Sequence, residues 1–423
     1  MNVQARLPAT DETLSFLGIS GHEPRMSPGN RDVQLARAGL LQQLYSKGLP
    51  TRRIGSWHYT DLRSRLKPSP RGTPAGAGTT DLPPLIAGSI VLRTSDPIAD
   101  RVAATAGISV RDYRDALADG AAAAGLVARD ADDAVGLLNG ALVDGGVMVD
   151  VAADARIEMP LELQMNDSFH SRFNMAFQAG AKATVIERHV AFDEDHSRFV
   201  TAVSELHVGK GADVTWIILQ QQSPSDSHLG QMTFVLEQEA TLRLLVLNAG
   251  GKLVRQEVHG RQSGEGAKLI LSGINLLSGS AHTDVTMTLE HEAVGTASTI
   301  TMRNVVFDSA SGVFQGGIKV APGAQKTDAR MACNTLLLSD QGDFSAKPEL
   351  EIFADDVQCG HGATVADIDD AHVYYLMARG IPRQRARSLL IKGFLSELLL
   401  PIEDERIATA LDRITGAWLE RQG

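Results

Sequence analysis

Between residues 140 and 357, apolar and polar side chains alternate in steps of two. The alternating runs are short, and Gly, Asn, Asp and Ser interrupt them every ~8–12 residues, the spacing of successive strands and turns. The clearest runs are 241–247 (TLRLLVL), 268–277, 284–290 (DVTMTLE), 299–307 and 313–320. A period of two places neighbouring side chains on opposite faces of an extended chain, so each run predicts a strand. No helix is predicted in this region. A sandwich, a barrel and a parallel β-helix all satisfy the pattern, and no repeat of fixed length chooses among them.

Helical periodicity flanks this strand-rich region. Val33, Ala36, Leu40, Leu41 and Leu44 fall at helical spacing within 31–48, where Gly48 and Pro50 provide a stop. Residues 67–84 are rich in Pro, Gly and Thr and predict a loop, and the alanine-rich stretch 110–126 predicts a second helix. After the strands, Asp367 is the candidate cap of a helix that Gly380 and Pro382 end. Residues 383–399 predict another helix. Ile407, Leu411, Ile414 and Trp418 form one apolar stripe on a third, which by itself suggests packing within the chain's own core. The resulting division is a mainly helical region 1–135, a strand-rich core 136–365 and a helical region 366–423.

Charge and cysteine content narrow the function classes. A formal net charge of −11 leaves no surplus of Lys and Arg to neutralise phosphates, which argues against a nucleic-acid partner. The two cysteines, Cys333 and Cys359, lie far apart without a CxxC spacing, which excludes a disulfide framework and suits a reducing cytoplasm. No apolar run approaches the ~20 residues that a membrane-spanning helix needs. The first residues lack a signal-peptide pattern, and the glycosylation-type triplet at Asn166 carries no weight in a cytosolic chain. Nucleotide chemistry finds no support. There is no GxxxxGK[ST], and Gly209-Lys210-Gly211 lacks the rest of a dinucleotide fingerprint. Glu290-His291-Glu292 is not the HExxH of a zinc protease, and no GxSxG elbow is present.

One short segment stands apart. Cys359-Gly360-His361-Gly362 places a thiol and an imidazole two residues apart, on one side of an extended chain, at an expected junction between strand and helix. Both side chains are suited to iron or zinc, and the flanking glycines admit close approach. The imidazole and the nearby helix start are both positioned, on this reading, to lower the thiol's pKa. Structural zinc and iron–sulfur clusters typically take four ligands. Cys333 has no activating neighbours and reads as packing, so any metal held by Cys359 and His361 requires ligands from another chain.

The stretches HTDVTMTLEH (282–291), 308–340 and KPELEIFADDVQCGHGATVADIDDAHVYYLMARGIP (347–382) resemble the SufB/SufD family of iron–sulfur cluster assembly proteins, in particular its SufD branch. Gly55-Ser56-Trp57-His58-Tyr59-Thr60-Asp61 is similar to an N-terminal Trp-x-Tyr-Thr element of that family. The likeness departs from the usual pattern at His58 (lysine is more common), Gly360 (serine) and Ala366 (glycine). It implies a mainly β fold: a right-handed parallel β-helix between a helical N-terminal domain and a small helical C-terminal domain. It also implies a scaffold subunit without catalytic residues, with His361 and Cys359 as metal-site residues. A transient iron or iron–sulfur cluster would sit there, at an interface completed by a SufB-like paralogue. The helices after Asp367 would form the docking face for a SufC-like ATPase, leaving this chain itself without bound nucleotide. A homodimer of the isolated chain is compatible with the resemblance; membrane and nucleic-acid partners are not expected.

Two other readings compete. A β-helix carbohydrate hydrolase or lyase would need paired carboxylates, for which Asp355 with Asp356, or Asp367 with Asp369 and Asp370, are the candidates. A thiol hydrolase would need Cys359 and His361 in nucleophile–base geometry, which residues two apart on a strand seldom reach.

Overall fold

A computed structural model describes residues 29–66, 82–93, 107–164, 170–190 and 197–422. Most of the predicted 67–84 loop, the first residues and the Asn166 triplet lie outside them. Among the described residues the alternating runs become two nine-stranded sheets. One sheet contains Ile90–Arg93, Leu161–Gln164, Lys182–Val190, Asp213–Gln221, Thr241–Asn248, Lys268–Leu277, Ala297–Val306, Asp328–Leu337 and Gln358–Ala366 in spatial order. The other contains Ile108–Asp112, Gly145–Val151, His170–Phe177, Phe199–Val208, Ser227–Leu236, Leu253–Gln262, His282–His291, Ser311–Val320 and Asp343–Ile352. From Gly145–Val151 onward consecutive strands of the chain alternate between the sheets, and every neighbouring pair is parallel except the first of the second sheet. The fold is therefore a parallel β-solenoid, as the family resemblance implied. No described helix is long and apolar enough to cross a membrane.

In-register stacking explains the inner side chains. Leu242, Leu244 and Val246 point into the core, and Leu269, Leu271 and Gly273 lie beside them on the next coil. A polar column runs through the same interior. Asn248 donates to Asn275 Oδ1 at 2.7 Å, Asn275 to Asn304 Oδ1 at 2.7 Å, and Asn304 to Thr335 Oγ1 at 3.0 Å. Such an amide ladder satisfies polar groups that burial would otherwise penalise. Cys333 closes it, accepting from Asn304 at 3.4 Å. Burial pushes the Cys333 thiol up to about 12, so it is a packing residue, as its sequence context suggested.

The outer faces carry the helices. α1 (Arg31–Lys47) starts at Asn30, whose side chain accepts from the Asp32 and Val33 amides, and stops at Gly48 with φ 70°. Beyond it lie the short α2 (Leu62–Arg65), α3 (Tyr113–Asp119) and α4 (Ala134–Leu142). The helix expected over 110–126 is shorter than its alanines suggested. Residues 108–112 instead pair antiparallel with 147–151 and close that end of the solenoid, and Gly120 ends α3 at φ 92°. Sheet pairing has overridden helix propensity there.

This helical region docks on the second sheet through a buried ionic network. The Arg255 guanidinium lies 3.8 Å from the ring centre of Trp57, and both residues are fully buried. Arg255 donates to Ser56 O at 2.8 Å, Glu257 Oε1 at 2.8 Å and Asp284 Oδ2 at 2.5 Å. Thr60 donates to Asp284 as well, and its hydroxyl lies 2.8 Å from His282 Nε2. Burial works against the Glu257 carboxylate, yet Arg255 and His259 outweigh it and hold the group well below the ordinary range. The Trp-x-Tyr-Thr element is thus the latch of the N-terminal domain.

The C-terminal helices cover the first sheet. α5 (Asp370–Met377) is capped by Asp369, two residues beyond the expected Asp367. α6 (Arg383–Ser396) and α7 (Glu405–Glu420) follow. Ile391, Leu395, Ile407, Leu411 and Trp418 pack on Ile217, Leu245, Leu247 and Val305. Both faces of the 241–248 strand are therefore buried, which is why TLRLLVL loses its alternation midway. Arg303 fastens the contact by donating to Phe394 O and Glu397.

Two stability predictions follow from these contacts. Arg255→Ala leaves Asp284 and Glu257 buried without their counter-ion, and urea unfolding is expected to show a loss of ~3–5 kcal/mol; a loss below 1 kcal/mol would remove the latch assignment. Burial depresses His170 and His291 to about 4 and His282 to about 3, and His228 well below its ordinary 6.5. The unfolded chain therefore binds protons first. Stability at pH 7 is expected to decline as pH falls from about 6.5 towards 4. A urea midpoint that stays flat over that window would contradict this.

Candidate functional site

Cys359 and His361 lie near the start of the last strand, Gln358–Ala366, not at its junction with a helix. Asp343–Ile352 ends, residues 353–357 turn the corner, and the pair opens the final run. Cys359 lies beside Ala329 and His361 beside Met331 in the parallel register. Ala329 and Met331 belong to the solenoid core, so the two candidate ligands continue an inner column. Among the described residues, no further strand covers that column. Cys359 is consequently half-buried against the core's end, and His361 is exposed. The shared side expected from their spacing is present.

The glycines serve openness rather than turning. Gly360 and Gly362 sit within the strand, and a Cβ on either would meet nothing within 4 Å. Thr299, Thr301, Arg330, Ala332, Gly360 and His361 contribute to a shallow depression of about 590 Å³ beside them. At the same end of the molecule, each sheet terminates in a strand paired on one side only. Exposed Ile352, Phe353 and Val365 mark these free edges.

The electrostatics correct one expectation. Burial, with a smaller contribution from the Asp328 charge, pushes the Cys359 thiol above its ordinary value. The helix start expected to lower it is remote. Ala366 lies seven positions along the strand from Cys359, about 23 Å at ~3.3 Å per residue, and α5 begins only beyond that. The field of a helix terminus does not reach so far. Among the described residues, no three His, Cys, Asp or Glu side chains come close enough to hold one metal ion.

Of the carboxylates of the rival hydrolase reading, Asp367, Asp369 and Asp370 are engaged, whereas Asp355 and Asp356 are not engaged by any described residue. Asp369 caps α5, Asp370 pairs with Arg383 at 3.4 Å and Asp367 with Arg387 at 3.3 Å. Asp355 and Asp356 are exposed on the turn before the last strand, where the Asp356 amide and carbonyl bond to Gln325 and Lys326.

The apolar stripe of α7 is not a free docking face, despite the expectation drawn from the resemblance. Its Ile407, Leu411 and Trp418 are buried against the first sheet, in accord with the simpler reading from spacing alone. What remains free lies on α5. Val373 is its sole buried residue, whereas Tyr374, Tyr375 and Met377 are exposed, as is Leu389 on α6. The Arg379 guanidinium stacks 3.7 Å from the Tyr375 ring centre. The signal was present in the sequence: two adjacent aromatic residues on a one-faced helix cannot both reach the core.

Comparison with known proteins places this geometry. The SUF system FeS cluster assembly SufBD core domain matches residues 162–394, more than half of the chain. The iron–sulfur cluster assembly protein SufD of Escherichia coli is 31% identical over 386 residues, covering 86% of this chain and 88% of that protein. SufD of Bacillus subtilis is 28% identical over 285 residues, 63% of each chain. The chloroplastic protein ABCI7 of Arabidopsis thaliana is 32% identical over 225 residues, 52% of this chain and 47% of that one. A matching core domain, a SufD relative aligned along most of both chains and a parallel solenoid ending in Cys-x-His have one explanation: the chain belongs to the SufB/SufD family of iron–sulfur cluster assembly proteins.

Proposed function

We propose that this chain is a non-catalytic scaffold subunit that presents His361, with Cys359 beside it, to an iron or nascent iron–sulfur cluster. A SufB-like paralogue, seated on the open end of the solenoid, would supply the remaining ligands. The observation that carries this reading is the exposed His361 on an uncovered terminal coil, in line with a thiol and joined by no third ligand from the described residues. Two unpaired strand edges at that end favour a partner that continues the sheets, since bare edges invite pairing. A second copy of this chain fits the same edges and would form a homodimer when the paralogue is absent.

The metal is cargo here and not a resident cofactor. Neutral imidazole and thiolate are the ligand forms. The raised thiol pKa makes His361 the first ligand at neutral pH, with Cys359 engaging only as the metal displaces its proton. Exposed Asp355 and Asp356 on the adjoining turn make the rim acidic, which favours approach of a cation. The exposed face of α5, with Tyr374, Tyr375 and Met377, is the better candidate for docking a SufC-like ATPase, because α6 and α7 spend their apolar faces on the first sheet. ATP hydrolysis would then reside in that partner, in the cytoplasm. The hydrolase reading loses Asp367, Asp369 and Asp370 to a cap and ion pairs, and keeps only the adjacent Asp355 and Asp356 on an exposed turn.

In reconstitution with the paralogue and the ATPase, His361→Ala is expected to leave the complex intact on size exclusion. It should lower cluster yield, read by visible absorption, by roughly tenfold through loss of a ligand. Wild-type yield in that variant rejects the site. Replacing Tyr374 and Tyr375 by Ser should cut affinity for the ATPase by at least about tenfold (~1.4 kcal/mol) while pairing with the paralogue persists. Leu411→Ala serves as the contrast: it should cost ~2–5 kcal/mol of folding stability. Unchanged ATPase affinity in the tyrosine variant would exclude the α5 face.

A further inference from the structure

Inside the solenoid, far from the terminal coil, two histidines face each other with unmet bonding capacity. His228 is completely buried, and neither of its ring nitrogens has a hydrogen-bond partner. The His189 ring lies against it, centres 4.6 Å apart and planes at 54°. His189 is 2% exposed, and its Nε2 lies 2.8 Å from Glu187 Oε1. Glu187 Oε2 accepts from Ser204 at 2.9 Å and from Trp216 Nε1 at 3.1 Å, so three donors hold the carboxylate in place. The Glu187 contact puts the His189 proton on Nε2 and leaves a lone pair on Nδ1, which also has no partner. Gln220 sits beside His189 on the next coil, and its Oε1 is buried without a donor.

We propose that His189 and His228 form an internal site for one divalent cation of the Zn²⁺ or Fe²⁺ class, with Gln220 Oε1 as a further ligand. Glu187 would act as the positioning residue behind His189. Metal-bound imidazoles characteristically donate their second N–H to a carboxylate, which is the relation between His189 and Glu187. With bonds of ~2.1 Å, two imidazoles on one ion place their ring centres ~4.6 Å apart at a right angle, as in octahedral coordination, and ~5.3 Å apart at the tetrahedral angle usual for zinc. The 4.6 Å separation corresponds to the octahedral arrangement. The unpartnered lone pairs outnumber the donors facing them, which suits a cation, and the Glu187 carboxylate offsets part of its charge. The remaining positions fall to water. Six strand spacings of ~4.8 Å, nearly 30 Å, separate the strand of His189 from that of His361, so the two sites are independent.

The test uses the full-length chain carrying Cys359→Ser and His361→Ala, which removes the surface ligands. After chelator stripping at neutral pH, it is equilibrated with Zn²⁺, and separately with Co²⁺ as a spectroscopic probe. One equivalent per chain is expected by mass spectrometry, with nitrogen ligands in the X-ray absorption of the zinc form. Adding His228→Gln should abolish that equivalent. Adding Glu187→Gln should weaken binding by ~10–100-fold, with circular dichroism confirming the fold. If the His228 variant fails to fold, the affinity shift in the Glu187 variant decides alone. The site is overturned by no bound metal in the surface-ligand variant, by unchanged affinity in both further variants, or by a crystal structure of the metal-equilibrated protein with only water against His228.

Discussion

A parallel solenoid satisfies its backbone and its core by the same operation, the placing of each coil on the one before it in register. Every inner position must then agree with the position beneath it. Leu242 stacks with Leu269, and the Asn248, Asn275 and Asn304 amides run in a single hydrogen-bonded column. The operation has no natural end. At the beginning of the chain, antiparallel pairing of Ile108–Asp112 supplies one. At the other end the last coil is left uncovered, and there the sequence places a thiol and an imidazole where a buried side chain would otherwise stand.

The two outer faces solve a different problem, that of fixing helical domains to a nearly flat surface. The first sheet does so with apolar side chains from α6 and α7, which bring area but little orientation. The second adds to its apolar contacts at Val203, Leu229 and Leu253 a buried network of Arg255, Asp284, Glu257 and the backbone around Trp57. Burying charges in this way adds little net stability, but it admits few alternative registers, because any slip strands an ion.

The strands were legible because alternation survives wherever one face is polar. Runs such as 284–290 and 313–320 lie within observed strands, while 241–247 blurs where helices bury its outer face. The repeat stayed hidden for a geometric reason. From Leu161 onward, coils vary from 24 residues, between Leu161 and Val185, to 32, between Ser311 and Asp343. The corner turns absorb the difference, so register is kept in space but not in sequence. The helix over 110–126 was overestimated because intrinsic propensity cannot foresee a strand that pairs with residues some forty positions later. Cys359 and His361 were singled out by their spacing, which also put them on one side of a strand. Their place on an exposed terminal coil required knowledge of where the stacking stops, and so did the partial burial that raises the Cys359 thiol's pKa.

That upward shift bears on how such a site would operate. A lowered thiol pKa suits a nucleophile, which must attack without help. A ligand that deprotonates only when a metal arrives binds conditionally: each proton displaced reduces the apparent affinity. On the proposed reading, His361 would retain a metal weakly by itself, and more firmly once Cys359 and the partner's ligands close the shell. The half-formed shell then favours release as much as capture. A complete four-ligand site on one chain would lower the energy of the bound cluster without lowering that of its departure, and would act as a store. Dividing the ligands between two subunits ties retention to the geometry of their interface. Movement of that interface, driven from α5 by an ATP-hydrolysing partner, could then change affinity without altering any residue at the site.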